Sequence, residues 1–130
     1  MLAALDRRDA YHETCLELLR SNREERVIPA PVVIEVDLLV SSHVGPHAIL
    51  PFLDDIAAGR YRVEPVAQQD YSRIRQILER HADSNIGFVD AAVLAICERL
   101  NEPKLATLDH RHFGMMRLRH VDALQLVPEL

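Results

Sequence analysis

The sequence predicts an α/β fold, a mainly parallel sheet with helices on both faces. Three observations carry that prediction. From Arg26 onward, strand-like runs alternate with single helical runs or pairs of them, and such crossovers produce parallel strands. Only four Gly, 5% aromatic residues and no Trp argue against many short strands on Gly-rich turns. A hydrophobic fraction of 48% with 27% charged residues is that of a globular chain, not a disordered one. The 130 residues suit a single domain able to bury a core. No repeat, low-complexity tract or linker divides residues 1–130.

Met1–Leu5 reads as the tail of an apolar helix. Asp9 is a suitable N-cap for the next helix, whose Tyr11, Cys15, Leu18, Leu19 and Asn22 share one face. Arg26–Ala30 is a short strand ending at proline, and Pro31 suits the first turn of a helix. Val32–Val40 has β-branched residues but apolar positions at 32, 33, 36, 39 and 40, which is the helical period. His47–Ala58 is a helix with Pro51 in its first turn and Gly59 as its cap. Tyr61–Val66 alternates like a strand. Gln69–His81 is amphipathic, with Tyr71, Ile74, Ile77 and Leu78 on its apolar face. After a loop at 83–87 come a buried helix over Phe88–Leu100, a buried strand over Lys104–Leu108 and a last strand over Ala123–Val127.

Composition excludes several functions. The longest apolar run without proline, Ala91–Cys97, is far short of the roughly 20 residues of a membrane span. Asp6 interrupts the N-terminus too soon for a signal-peptide core. Cys15 and Cys97 read as reduced core thiols of a cytosolic protein, and Cys15 has no adjacent base to make it a nucleophile. With 15 Lys+Arg against 20 Asp+Glu, the net charge of −5 argues against non-specific coating of DNA. The spacing of His43/His47, interrupted by Gly-Pro, and of His110/His112 is poor for zinc.

Three carboxylates occupy unusual positions. Glu35 lies three residues after Val32 and four before Leu39, so a helix sets it beside the apolar stripe. Burying it unpaired is costly, so either a core ion pair or a metal must compensate. Asp90 opens a helix that is otherwise apolar, where a cap is the ordinary role, but Phe88, Val89 and Ala91 are expected to bury the whole turn. Asp109 follows the strand Leu105–Leu108 at its carboxyl end, where ligands bind in parallel sheets, although an Asx turn there is the bland alternative. Thr107, two residues earlier, points to the same side and is placed to hydrogen-bond a neighbouring carboxylate. One shared cluster explains the three acids more economically than three separate capping roles. Hard oxygen donors in that number suit Mg²⁺ or Mn²⁺, and the chemistry implied is phosphodiester hydrolysis.

The blocks around these acids carry a family resemblance. Pro29–Leu39 with Glu35, Ile86-Gly-Phe-Val-Asp-Ala91 running into the following helix, and Leu105-Ala-Thr-Leu-Asp-His-Arg-His-Phe113 resemble the PIN-domain ribonucleases, most closely the VapC type of toxin. Order, spacing and flanks agree over nearly the whole chain. The resemblance implies a three-layer α/β/α fold and a cytoplasmic endoribonuclease dependent on Mg²⁺ or Mn²⁺. It makes Asp90 a metal ligand, with Glu35 and Asp109 completing the acidic pocket. It also implies a homodimer, and an antitoxin whose tail enters the active-site groove. Asp83 matches a further acid of the family to which no role is carried.

The family opens with a hydrophobic strand ending in an Asp that binds metal. Here Met1–Asp9 matches the helix and loop after that strand, so the chain is expected to be an N-terminally shortened single PIN-like domain. Asp6 and Asp9 match the loop and do not substitute. The competing function is a catalytically inactive PIN-like module that binds an antitoxin or RNA. The span His110–Val121 holds Arg111, Arg117 and Arg119 with three His and no acid, which suits an RNA backbone or equally a solvated surface.

Overall fold

A computed structural model of the chain describes residues 2–21 and 23–129, without the side chains of Leu2, Ala3 and His112. Asn22 of the second helix's stripe, Met1 and the His112 ring therefore lie outside the described residues. Internal contacts divide the chain into two compact units, Met1–Pro65 and Val66–Leu130.

The first unit runs α1 (Leu2–Leu5), α2 (His12–Ser21), β1 (Val27–Pro29), α3 (Ala30–His43), α4 (Leu50–Ala57) and β2 (Arg62–Glu64). Asp9, expected to cap α2, instead turns the chain just before it: its carboxylate accepts the Tyr11 N–H at 2.8 Å, and Tyr11 holds the cap position of a helix that starts at His12. Pro29 ends β1 and caps α3 in the same residue, and Pro31 sits in the first turn, where its missing N–H costs nothing. Val32–Val40 is thus helical, within a longer helix. Its buried residues are Val36 and Val40, which pack with Ile28, Ile49, Phe52 and Tyr61, while Val32, Val33 and Leu19 close over them. Leu39, assigned by period to the stripe, is exposed. The covered arc runs through 32, 33, 36 and 40, and residue 39 falls beyond its edge.

Helix α4 starts three residues later than expected, because 47–49 form turns. Its end is a Schellman motif: Gly59, at φ +81°, donates to the Ile56 carbonyl at 3.0 Å and Arg60 donates to Asp55 at 2.9 Å. That reversal leads into β2, which pairs in parallel with β1 in the register Ile28↔Val63.

The second unit runs α5 (Asp70–Arg80), a 3₁₀ turn (Ala82–Ser84), α6 (Phe88–Arg99), β3 (Lys104–Ala106), α7 (His110–Gly114) and β4 (Gln125–Val127). Helix α6 buries seven consecutive residues, Ala91–Cys97. It ends in a second Schellman turn, with Asn101 left-handed at φ 53° and Glu102 donating to the Cys97 carbonyl at 2.9 Å. Strands β3 and β4 pair in parallel, Leu105↔Leu126. The strand foreseen as buried over Lys104–Leu108 is shorter, half-buried at Lys104 and Leu105, and exposed at Ala106. Its described ladder has one neighbour, β4, so it lacks the two-sided cover of a central strand. Helix α7 was not foreseen, since five residues are too few to display a period.

Both strand pairs, β1–β2 and β3–β4, are parallel, as the alternation of strands and helices predicts. Among the described residues, no helix is long and apolar enough to cross a membrane.

Candidate active site

Asp109 stands just past β3, in a turn that its neighbours hold. Its backbone N–H donates to Thr107 Oγ1 at 3.0 Å, and its carbonyl accepts the Phe113 N–H at 3.3 Å, starting α7. Thr107 was expected to meet a carboxylate; here its hydroxyl oxygen accepts from the Asp109 backbone, orienting that residue. His110 Nε2 lies 3.0 Å from the Thr107 carbonyl, which ties the turn on its other side. The Asp109 residue itself is exposed.

Asp90 is the third residue of α6, two beyond the start at Phe88 and three beyond the cap at Gly87, which has no side chain to offer. The amino end of a helix dipole favours a carboxylate there. The expectation that the whole turn is buried needs correction. Ala91 is fully buried, Val89 and Asp90 are half-buried, and Phe88 is exposed. The helix is enclosed from Ala91 onward, and its first turn projects beyond the cover.

Glu35 lies in the other unit, six residues into α3. Sequence periodicity sets it against the apolar stripe, but it is exposed, flanked on the open face by exposed Ile34 and Leu38. The desolvation cost that seemed to demand a partner is therefore absent. Both units nonetheless carry these acids close after the carboxyl end of a parallel strand: Glu35 after β1 and Asp109 after β3.

Within either unit, among the described residues, no three His, Cys, Asp or Glu are gathered closely enough to hold a metal ion. The donor chemistry still fits a small hard cation. Mg²⁺ keeps most of its waters and is held by one or two carboxylates together with substrate phosphate, so it requires no all-protein cage.

The remaining candidates fall into local roles. Asp6 is buried, and the Arg8 backbone N–H and then its guanidinium hold its carboxyl below the usual range. Asp83 lies exposed in the 3₁₀ turn. Arg111 and Arg117 are exposed, whereas Arg119 donates to Gln76 at 2.6 Å and, through its backbone, to Glu98 at 3.1 Å. Cys15 and Cys97 are free thiols. Burial pushes Cys97 up to about 12 and raises Cys15, so both remain protonated and unreactive at neutral pH.

Sequence reasoning missed the polar fastening of α6. Asp70 is 3% exposed, accepts the Ala67 N–H at 2.8 Å and meets Arg99 Nε at 3.0 Å. Arg73 grips Glu98 through two bonds of 2.8 Å. No local signal marks pairs that are 29 and 25 residues apart. It also put Tyr71 on a buried face and Phe88 in a buried helix; both are exposed.

Comparison with known proteins adds three findings. The family model described as PIN domain matches residues 1–117. Ribonuclease VapC26 of Mycobacterium tuberculosis is 30% identical over 117 residues, which is 90% of this chain and 87% of that protein. The crystal structure of Mycobacterium tuberculosis VapC20, described as a sarcin-ricin loop cleaving toxin, matches with a TM-score of 0.78 at 23% identity, covering 85% of each chain. At that identity the structural match bears on the fold.

Proposed function

Because the chain belongs to the PIN-domain family, and within it to the VapC-type ribonucleases, we propose that it is an endoribonuclease that hydrolyses RNA phosphodiester bonds as the toxin of a toxin–antitoxin pair. The observation that carries this reading is 30% identity to a ribonuclease over nine-tenths of the chain, with Asp109 just past a parallel strand and Asp90 in the first turn of α6.

In this reading Asp90 and Asp109 would hold a divalent cation, and Glu35 is the third acid that the resemblance assigns to the reaction. The chemistry supplied by bound Mg²⁺ or Mn²⁺ is neutralisation of phosphoryl charge and activation of water for in-line attack. Asp90 sits in the first turn of α6, where the helix dipole favours a negative group. Thr107 fixes the backbone of Asp109, so the carboxylate does not have to be ordered when the substrate arrives. The four residues 100–103, the Schellman turn of α6 among them, reverse the chain into β3, which favours a common end for Asp90 and Asp109. Arg111 and Arg117 meet the RNA backbone, and Arg119 less so, since Gln76 engages its guanidinium. The partners are an antitoxin and a second copy of the chain, and the setting is the cytoplasm.

The test uses the purified chain with RNA and Mn²⁺, alongside EDTA and Asp90→Asn. Cleavage is expected from the wild type alone. Mn²⁺ is also expected to raise the thermal midpoint of the wild type and not that of Asp90→Asn. A folded chain that neither cleaves nor responds to Mn²⁺ would favour the catalytically inactive module over the ribonuclease.

A further inference from the structure

We propose that Tyr71 and Phe88 form a stacking platform for an unpaired base of the RNA substrate, with Arg75 as its flanking cation; this rests on the ribonuclease reading above.

Aromatic side chains are scarce here, three Tyr and three Phe with no Trp. Phe52, Tyr61 and Phe113 are spent on the interior, at 1%, 7% and 6% exposure. Tyr71 and Phe88 are 51% and 43% exposed, although they come from separate helices and sit beside an apolar interior able to take them. The packing of α5 on α6 brings their rings together, with centroids 6.3 Å apart and planes at 37°. Together with Ile74, Arg75, Leu78 and Glu79 they line an open groove of about 570 Å³ within the second unit. Two large rings left in water in one groove mark a surface that something covers.

The lining chemistry selects a nucleobase. Every base offers a flat π-face, and single-stranded nucleic acid binds by stacking on aromatic rings beside cations that track the backbone. Arg75 supplies the cation. Among the described residues its guanidinium is held by an exposed pair with Glu79 at 2.9 Å, one turn along the same helix, and such pairs release readily.

Position supports the same occupant. Phe88 is the first residue of the helix whose third residue is Asp90, so the groove lies at the same helix end as the proposed site of cleavage, on another face. Gly87, which caps that helix, has nothing within 4 Å of where a Cβ would stand, so the approach to the helix end is open. A base seated on Phe88 carries its phosphate toward that end, where backbone N–H groups and the dipole accept negative charge.

Two measurements test this. In steady-state RNA cleavage, Tyr71→Ala and Phe88→Ala are each expected to raise KM about tenfold with kcat little changed, while Tyr71→Phe retains the wild-type KM. Unmoved KM values in an active enzyme would overturn the platform and leave the ribonuclease reading standing. The second measurement uses the folded Asp90→Asn chain and does not depend on cleavage. NMR titration with AMP is expected to shift the ring resonances of Tyr71 and Phe88, and ribose 5-phosphate is expected not to. Equal shifts from both, or none from either, would overturn the proposal. A change of oligomeric state in Tyr71→Ala at unchanged KM would also overturn it, assigning the groove to a second copy of the chain.

Discussion

Helices α3 and α6 look alike as sequence: each is a long apolar run with acid near its start, and each adjoins a short parallel strand. They are covered very differently. Helix α6 is enclosed on every side from Ala91 to Cys97, whereas α3 buries Val36 and Val40 and presents Ile34 and Leu38 to solvent, both 66% exposed. Side-chain size supplies part of the reason. Ala91, Ala92 and Ala95 let neighbours approach α6 closely all round, while the branched chains of α3 keep neighbours off its far side. Polar fastening supplies the rest. Two Arg–carboxylate pairs pin α6 to α5, while α3 is tied at its far end by the Arg8 guanidinium, which donates to the His43 carbonyl. An apolar run thus specifies a helix without specifying how much of it is covered, and buried ion pairs mark the helix that is.

The largest expected effect comes from unpinning α6. Asp70→Ala leaves the Arg99 guanidinium partly buried without its main carboxylate and is expected to cost about 3 kcal/mol or more, read by urea denaturation. A loss below about 1 kcal/mol would mean that the pair guides packing without stabilising it. Leu94→Ala opens a cavity in the enclosed stretch and is expected to cost about 3 kcal/mol. The thermal midpoint should then fall by roughly 10 °C.

Acid should loosen the second fastening. Burial alone would raise the Glu98 carboxyl, but the paired bonds from Arg73, with Arg119 behind them, hold it below the ordinary glutamate value of 4.5. A depressed carboxyl stabilises the fold fully above that value and loses its contribution as pH falls through the lower, folded one. Glu98→Gln is therefore expected to cost about 1 kcal/mol at neutral pH and to flatten the pH dependence of stability below 4.5. An unchanged acid slope in the variant would remove Glu98 from the account. The smallest effect belongs to α3: Leu38→Ala is expected to change stability by less than about 0.5 kcal/mol. A larger loss would show that its open face is covered in solution.

Residues that act on their own backbone were the ones legible in advance. Asp9 turning the chain into α2, Pro31 in the first turn of α3 and Gly59 ending α4 work within a few residues of themselves, so spacing went most of the way to reading them. Glu35, Asp90 and Asp109 were legible because a carboxylate in an apolar run or just past a strand is conspicuous in any context. Their surroundings were not legible. Glu35 proved exposed and the first turn of α6 only half-covered, because burial depends on which distant element lies over a face. Thr107 turned to its own neighbour's backbone, a choice decided by the turn that α7 imposes.

By itself, then, the sequence determined the order and kinds of the longer elements, where the candidate acids fall along them and membership of the PIN family. Those follow from period, punctuation and motif, which are local properties of the chain. Tertiary structure alone decided that Asp70 meets Arg99, that Glu98 meets Arg73, and that Tyr71 and Phe88 share an open groove. Each joins residues well separated in sequence, and only the packing of α5 against α6 brings them within reach.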